Sequence, residues 1–505
     1  MPDGAAAAQF GRIAVVDVGS NSLRLVVFER LGETLLPLLN EKVMCALGRG
    51  IAASGRLNPD GVALAFANLQ RFVALARALA VDHLAVIATS AVREAADGLD
   101  FAAEAERQCG VPMRIVDGGE EARLSAAGVL AGISGADGIV GDLGGGSVEL
   151  VRVNAAGQPA IGAGVSLPLG PLRLAELTDD RRALTRAIDR AIADADVLRE
   201  AAGRDFYLVG GAWRAIARLH MEQTRYPLHI IHEYAIPRRP AEGFLDIVAG
   251  QSRHSLERIA SIGRKRLETV PLGALILRRL IAAATPERIV FSAFGLREGY
   301  AYGLLRMPPG GDSLIAAARA IAASQSRTGG DGDRLQRWVA PLFPHAGAAA
   351  RRLHRAICWL SDIAWTEHPD YRAGQAFARS LTMPVAQLTH RERVFIALAL
   401  HARYGGAADD PAVAVVRPLL DHDDAAEARA LGLALRLAYT LSGGALDLLD
   451  EVTLHRDAEG IVLDLPPSGS LFLGEAVERR LAALGRALGQ PARRERRRAP
   501  DPALA

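Results

Sequence analysis

Cysteine is scarce in this 505-residue sequence, which has only Cys45, Cys109 and Cys358. They lie far apart and form no CxxC pair, which excludes a disulfide framework and any zinc site built from cysteines. Three separate thiols suit a reducing compartment, so we expect the protein in the cytoplasm. Aromatic residues are also few, but half of all residues are apolar and 23% are charged. This balance is typical of globular chains and excludes a fibrous or disordered protein.

Long apolar runs are also missing. No stretch of about 20 apolar residues is free of charge, so no membrane-spanning helix is expected. Residues Met1–Phe10 have neither the basic nor the apolar part of a secretory signal, and none is expected. An excess of one charge is lacking too, because 59 lysines and arginines stand against 57 aspartates and glutamates. A chain that binds nucleic acid along its length would be more basic, so nucleic acid is not an expected partner.

The length allows two to four domains, and the pattern changes along the chain. Short β-branched runs alternate with helical spacing of apolar residues up to about residue 305, which predicts an α/β fold with lobes at 11–132 and 133–305. Helical spacing is present in Leu64–Ala80 and Glu121–Ala131. The predicted strands are Ile13–Val18, Leu23–Glu29, Leu84–Ala88, Met113–Val116, Ile139–Asp142, Val148–Val153, Phe206–Val209 and Arg288–Phe291.

The rest of the chain has a different composition. A polar, glycine-rich stretch predicts a linker or mobile loop over 306–333. Residues 334–490 are predicted to be mostly helical, with a small β-hairpin formed by Val452–His455 and Ile461–Leu465. Residues 491–505 are rich in arginine and flanked by prolines, which predicts a basic, disordered tail.

One internal repeat decides how the α/β part is interpreted. Each copy is a buried strand that ends in an aspartate, a tight turn, and a second strand. The strands end at Asp17 and Asp142, about 125 residues apart. The turns are the first loop, formed by Gly19, Ser20, Asn21 and Ser22, and the second loop, formed by Gly144, Gly145, Gly146 and Ser147. Two similar halves with matching loops predict two lobes that face a cleft.

Turns of glycine and serine bring backbone N–H groups together around one anion, for which phosphate is the natural guest. A carboxylate beside such a turn would repel a bare phosphate. Asp17 and Asp142 are therefore predicted to bind a divalent cation, Mg²⁺, that bridges them to the phosphate. Either loop taken alone is equally typical of an ordinary hairpin turn.

The two loops together resemble those of the exopolyphosphatase / guanosine pentaphosphate phosphohydrolase family, within the superfamily of actin, sugar kinases and heat-shock chaperone ATPases. Further matching segments are distributed along nearly the whole chain. They are Thr89–Ala95, Gly119–Leu124, Val209–Ile216, Ser292–Gly299, Asp362–Arg372 and His390–Arg393. The resemblance implies two actin-like (ribonuclease H-like) α/β lobes with a cleft between them, followed by a mostly helical C-terminal region.

The resemblance also implies roles for two charged residues, Glu121 and Arg93. Glu121 is expected to be the general base that activates water, with Glu120 as a capping or supporting neighbour; a helix N-terminus favours acids in any case. Arg93 is expected to face the phosphate, although a lone arginine in a first helical turn is usually a surface residue. Glu149 lies on the strand face opposite to Val148 and Leu150, either in solvent or in the cleft, where we expect it to bind metal or water.

The expected activity is hydrolysis of terminal phosphates from inorganic polyphosphate, with guanosine pentaphosphate to tetraphosphate as a further reaction. The alternative is a non-catalytic, actin-like sensor that binds a nucleotide or alarmone. Bulky Trp213 in the segment 209–216 argues against a purine pocket, and no acceptor-activating aspartate of a sugar kinase is identified. We further expect a homodimer.

The helical half carries many arginines. They could line a groove that holds a long polyanion by electrostatic attraction, or they could lie on ordinary solvated faces. The arginines in question are Arg351, Arg352, Arg355, Arg372, Arg391, Arg393 and Arg403.

Overall fold

The computed structural model describes residues 10–32, 34–155, 160–175, 180–252, 255, 269–305, 312–327, 330–467 and 474–496. The chain divides into two compact units, the first up to residue 311 and the second from residue 312. No helix in these ranges is long and apolar enough to cross a membrane.

The first sheet has five strands in the order β3-β2-β1-β4-β5. They are β1 (Arg12–Val18), β2 (Leu23–Leu31), β3 (Thr34–Val43), β4 (His83–Ala88) and β5 (Met113–Ile115). β1 pairs antiparallel with β2 and parallel with β4. Strand β3 was not predicted, because Pro37 and exposed polar residues interrupt its pattern. It is an edge strand whose register shifts opposite Val27 and Phe28, and such an edge tolerates proline.

The second sheet repeats this arrangement. Its order is β11-β12-β10-β6-β7-β8, with β9 also paired to β7. The strands are β6 (Asp137–Leu143), β7 (Val148–Asn154), β8 (Ala160–Ile161), β9 (Val165–Leu167), β10 (Asp205–Gly210), β11 (Tyr234–Pro237) and β12 (Arg288–Phe291). β6 pairs antiparallel with β7 and parallel with β10, as β1 does with β2 and β4. The two loops of the repeat therefore connect equivalent strands, and the predicted α/β lobes are confirmed.

Helices surround both sheets of the first unit. They are α1 (Ile51–Ser54), α2 (Pro59–Ala78), α3 (Ser90–Glu94), α4 (Gly98–Cys109), α5 (Gly118–Gly132), α6 (Pro171–Leu174), α7 (Arg181–Ala193), α8 (Gly211–Gln223), α9 (Arg238–Ala249), α10 (Thr269–Ala284) and α11 (Leu296–Leu304), with a 3-10 helix at Asp196–Ala201.

Helices α5 and α11 each pack on the sheet of the other lobe. Apolar residues of α5 pack with the second sheet, although α5 follows the first sheet in sequence. Those of α11 return to the first sheet. The helices touch through glycines, since a Cβ on Gly299 would lie 1.8 Å from the Leu124 carbonyl oxygen, and one on Gly128 would lie 2.2 Å from that of Gly295. The predicted lobe bounds at residues 132 and 305 assign each helix to the lobe that is nearest in sequence. In the structure, α5 and α11 each pack on the sheet of the other lobe.

The second unit is mostly helical. Its helices are α12 (Ser313–Gln325), α13 (Gly332–Val339), α14 (Ala348–Leu360), α15 (Arg372–Thr382), α16 (His390–Arg403), α17 (Pro411–Val416), α18 (His422–Ser442) and α19 (Glu475–Leu488), with 3-10 helices at Ala340–Leu342, Arg417–Leu419 and Leu446–Glu451. The predicted hairpin is present as β13 (Thr453–Arg456) and β14 (Ile461–Leu465).

Two predictions at the borders of the second unit need correction. Helix α12, capped by the Asp312 side chain, occupies part of the predicted linker 306–333; residues 306–311 and 328–329 lie outside the described ranges. The predicted tail begins with strand β15 (Ala492–Arg496), which pairs parallel with β14. Ion pairs from Arg493 to Asp457 and from Arg494 to Glu478 hold it in place. Residues 497–505 of the predicted tail are not described.

The seven arginines proposed for a polyanion groove have partners within the second unit. Each donates to a carboxylate or a backbone carbonyl of its own unit. The bonds run from Arg351 to Ala346, from Arg352 to Asp312, from Arg355 to Asp333, from Arg372 to Trp365 and Glu367, from Arg391 to Asp424, from Arg393 to Met383 and Val385, and from Arg403 to Asp362. Arg393 and Arg403 are buried. The groove interpretation is therefore excluded for these two and stays a prediction for the other five.

Candidate active site

The two loops have the same backbone construction. In the first, the Gly19 N–H donates to the Ser22 carbonyl at 3.1 Å; in the second, the Gly144 N–H donates to the Ser147 carbonyl at 3.0 Å. The carbonyl groups of the second and third residues of each loop accept hydrogen bonds from backbone N–H groups of a neighbouring segment. These bonds run from Gly48 to Ser20 (2.8 Å), from Ala46 to Asn21 (3.1 Å), from Leu172 to Gly145 (2.9 Å) and from Gly170 to Gly146 (3.0 Å). Carbonyls fixed in this way do not repel an anion in front of the loop.

A cavity of about 170 Å³, called the cleft here, lies between the loops. Of the predicted site residues, it brings together all four residues of the first loop and two of the second, with Asp17, Asp142 and Glu121. The other predicted site residues are not among those that line it: Gly146, Ser147, Arg93 and Glu149. Both copies of the repeat thus contribute to one site, as predicted from their spacing.

Glu121 and its neighbour Glu120 have different surroundings. Glu121 is only 7% exposed, and its Oε2 accepts from Arg93 Nη1 at 2.9 Å. Burial raises the pKa of Glu121 well above its ordinary value; the negative charge of Glu149 adds to this, and Arg93 opposes it. Glu120 pairs with Arg114 at the protein surface. Of the two adjacent acids, Glu121 therefore lies in the cleft and Glu120 lies at the surface.

Of the three predicted metal ligands, Glu149 is buried and the two aspartates are half-buried, and their partners differ. Asp17 lies 3.4 Å from the guanidinium of Arg297. Asp142 accepts from the Ser125 hydroxyl. Glu149 is 1% exposed, and its Oε1 accepts from Ser166 at 2.9 Å. Burial raises the pKa of all three carboxyls, that of Glu149 to about 7.

A divalent cation fits the chemistry on the second-loop side. Glu149 Oε2 and Ser147 Oγ are buried and make no hydrogen bond of good geometry to a described residue, although the Ser147 hydroxyl is close enough to Glu149 to lower its pKa. Buried oxygens normally have well-formed partners. Within the described ranges, however, no three histidine, cysteine, aspartate or glutamate side chains converge into a metal cage. The predicted trio of Asp17, Asp142 and Glu149 is therefore not assembled as one ligand group. Mg²⁺ commonly uses one or two carboxylates together with substrate phosphates, and that mode suits this site.

Four cationic side chains that line the cleft were not singled out from the sequence: Arg24, Lys42, Arg214 and Arg297. Burial lowers the pKa of Arg24 to about 9, and repulsion from Arg297 and Arg214 contributes. A signal for Arg24 was present, since it occupies in the first copy the position that Glu149 occupies in the second. Arg214 and Arg297 follow glycine turns at the starts of α8 and α11. Together these cations favour a multiply charged anion.

Trp213 does not fill the cleft, contrary to the argument made from its size. Its ring is fully buried in the core of the second lobe and packs edge-on against Phe206. Its indole N–H donates to the Gly273 carbonyl at 3.1 Å. The size of Trp213 therefore carries no argument about a purine.

The duplicated lobes, the matched loops and the charged cleft define a protein of the actin-like class that acts on phosphate groups. Comparison with known families is more specific: the model of the Ppx/GppA phosphatase family matches residues 25–307, and that of the exopolyphosphatase C-terminal domain matches residues 314–493. The chain belongs to the Ppx/GppA phosphatase family. The prediction of an enzyme, a phosphoanhydride hydrolase, is confirmed with the family.

Individual relatives are distant. Exopolyphosphatase 2 of Mycobacterium tuberculosis is 25% identical over 324 residues, which span 58% of this chain and 98% of the relative. An exopolyphosphatase structure from Cytophaga hutchinsonii matches with a TM-score of 0.54 and 22% identity, over 60% of this chain and 100% of its own. The Aquifex aeolicus PPX-GPPA enzyme matches with a TM-score of 0.50 and 20% identity, over 58% and 99%. These structural matches agree with the fold.

Proposed function

We propose that this protein is an exopolyphosphatase that removes the terminal phosphate of inorganic polyphosphate by attack of water. The observation that carries the proposal is the composition of the cleft. Glu121, residues of both glycine-serine loops and four cationic side chains line it together. In the reaction, a water oxygen bonds to the terminal phosphorus and the bridging P–O bond breaks. The products are free phosphate and a chain one unit shorter.

The loops would hold the terminal phosphate through their N–H groups and the hydroxyls of Ser20 and Ser22. Glu121 would take the proton of the attacking water on its carboxylate. Arg93 would orient Glu121 through Nη1, which also donates to the Val116 carbonyl at 2.8 Å. The rest of its guanidinium would contact a phosphate oxygen.

Asp142 and Glu149 are the residues that would hold Mg²⁺, because the charge of Asp17 is already compensated by Arg297. When bound, the cation would neutralise phosphate oxygens and make the phosphorus easier to attack. Without a cation, the buried carboxylates Glu121, Asp142 and Glu149 repel each other.

The lining of the cleft favours polyphosphate over guanosine pentaphosphate. Its described lining residues include four cations but no aromatic ring on which a guanine could stack. We therefore propose polyphosphate as the main substrate and conversion of guanosine pentaphosphate to tetraphosphate as a weaker reaction. A homodimer and a cytoplasmic location stay predictions.

Phosphate release tests this proposal. The purified protein is assayed with long-chain polyphosphate, guanosine pentaphosphate and ATP, each with Mg²⁺ and with a chelator. We expect release from polyphosphate that requires Mg²⁺, slower release from guanosine pentaphosphate, and none from polyphosphate with Glu121→Gln. Binding of guanosine pentaphosphate without any phosphate release would instead support the sensor.

A further inference from the structure

Two adjacent residues at the end of α3 reach from the first lobe to elements of the second. Arg93 contacts Glu121 on α5, the helix that packs on the second sheet. Glu94 pairs with Arg173 on α6, which follows the second sheet's strand β9. The neighbouring side chains have opposite charges, so each makes its own attractive contact across the cleft.

Arg173 also contacts the second loop directly. Its Nε donates to the Gly146 carbonyl at 3.1 Å, the same oxygen that accepts from Gly170. The segment that carries Arg173 is close to the loop backbone, because a Cβ on Gly170 would lie 2.1 Å from the Gly145 carbonyl oxygen. A movement of Arg173 would therefore be transmitted to the second loop.

The Glu94–Arg173 ion pair lies directly behind the phosphate site. It lines a second, water-sized cavity of about 10 Å³, whose wall includes Gly146 and shares Ser20 and Ser90 with the cleft. The hydroxyls of Ser20 and Ser90 are 2.8 Å apart. The pair thus closes the back of the site where the two loops approach each other.

The first half of the repeat supplies a natural comparison. The matched loop contacts of Gly48 and Leu172 make Arg49 the counterpart of Arg173. Arg49 is exposed and has no recorded ion pair among the described residues. The contact to the other lobe is therefore a property of Arg173 and not of the repeated backbone.

We infer that Arg173 is a positioning residue, which uses Glu94 to hold the second loop in register with Arg93 and Glu121. This inference rests on the proposed function, in which the loop and Glu121 act on one phosphate. The side chains of Arg173 and Glu94 are 29% and 34% exposed, so their attraction alone contributes little to stability. Its effect is on alignment, which decides the rate when a reacting phosphate is shared between lobes.

Kinetics and hydrogen exchange test the inference on the full-length protein. Glu94→Gln, which keeps the Arg173–Gly146 bond, should lower kcat/KM on polyphosphate about 5-fold. Glu94→Arg places like charges together and should lower it about 10²-fold, mainly in kcat. Adding Arg173→Glu to Glu94→Arg restores an opposite pair but not the bond to the Gly146 carbonyl, so it should recover only part of that loss. Arg49→Ala, the matched control, should behave as wild type.

Amide exchange of residues 143–148 supplies a readout without substrate. It should be faster in Glu94→Arg than in wild type or Arg49→Ala, and slower again in the double variant. Wild-type kinetics and exchange in Glu94→Arg, or a double variant no better than Glu94→Arg alone, would overturn the inference. If the wild type releases no phosphate from polyphosphate, the proposed function fails, while the exchange data still decide whether the pair holds the loop.

Discussion

The two loops share one backbone design but differ in charge. Each follows a strand whose penultimate residue is a half-buried aspartate, and the carbonyls of each loop accept hydrogen bonds from a neighbouring segment. Across the hairpin, Asp17 is paired in register with Arg24, whereas Asp142 is paired with Glu149. The duplicated backbone provides two similar anion-binding turns, and a single substituted position makes one side cationic and the other acidic.

The exchanged helices extend this difference. Helix α11 brings Arg297 to Asp17 on the first-loop side. Helix α5 brings Glu121 and Ser125 to the second-loop side, where Ser125 donates to Asp142. The first half therefore suits phosphate directly, while the second suits a cation and a water. A symmetric pair of anion sites would bind phosphate, whereas this asymmetric pair is consistent with the proposed hydrolysis.

Removal of the acid on the second-loop side should have the largest effect. Glu121→Gln keeps the shape of the side chain but cannot take a proton, so phosphate release should fall about 10²–10⁴-fold with polyphosphate binding retained. Glu120→Gln, its surface neighbour, serves as the control and should keep wild-type turnover. Near wild-type turnover in Glu121→Gln would remove this residue from the mechanism.

The two loop aspartates should differ in their effect on cation dependence. Asp142→Asn should raise the Mg²⁺ concentration needed for half-maximal activity about 10–100-fold. Asp17→Asn should leave that concentration nearly unchanged, because Arg297 already neutralises Asp17. Titrating activity with Mg²⁺ in both variants measures the difference. Equal shifts would mean that the loops are electrostatically equivalent, as the sequence repeat alone predicts.

The acidic side should also make stability depend on pH. Burial raises the pKa of Glu149 from 4.5 to about 7, so the folded protein retains a proton that the unfolded chain loses in this window. The cation-free protein should therefore lose about 1–3 kcal/mol of stability as pH rises from about 4.5 to about 7. Thermal unfolding with a chelator should show a smaller loss for Glu149→Gln. An identical pH dependence in this variant would contradict the assignment.

The loop serines should give the smallest and most selective effects. Ser20 Oγ is hydrogen-bonded to Ser90, so Ser20→Ala should cost about 1 kcal/mol of stability. Ser147 Oγ makes no hydrogen bond of good geometry among the described residues but lies beside Glu149, so Ser147→Ala should leave the Tm nearly unchanged and raise KM by disturbing Glu149. Paired measurements of Tm and KM separate the two roles, and a Tm loss confined to Ser147→Ala would reverse the comparison.

The sequence was informative where structure is local. β-branched runs and glycine turns predicted eight strands and both loops, because strand and turn preferences act over a few residues. Strand β3 was not predicted, because Pro37 and the exposed residues of this edge strand interrupt the apolar pattern of a strand. The contact of Arg297 with Asp17 could not be predicted from the sequence, because it depends on helix α11 packing on the first sheet, although α11 follows the second sheet in the chain. The charges of the second-unit arginines could be counted, but their carboxylate and carbonyl partners depend on tertiary packing.

One structure would test the central claim, that two equivalent loops hold one phosphate but only the second side binds the cation. The experiment is a crystal structure of Glu121→Gln with tripolyphosphate and Mn²⁺, with the cation located by anomalous scattering. The account predicts a terminal phosphate that contacts N–H groups of both loops, and a cation about 2.1 Å from an oxygen of Asp142 or Glu149. A phosphate bound by one loop only, or a cation bound by Asp17 without Asp142 or Glu149, would contradict it.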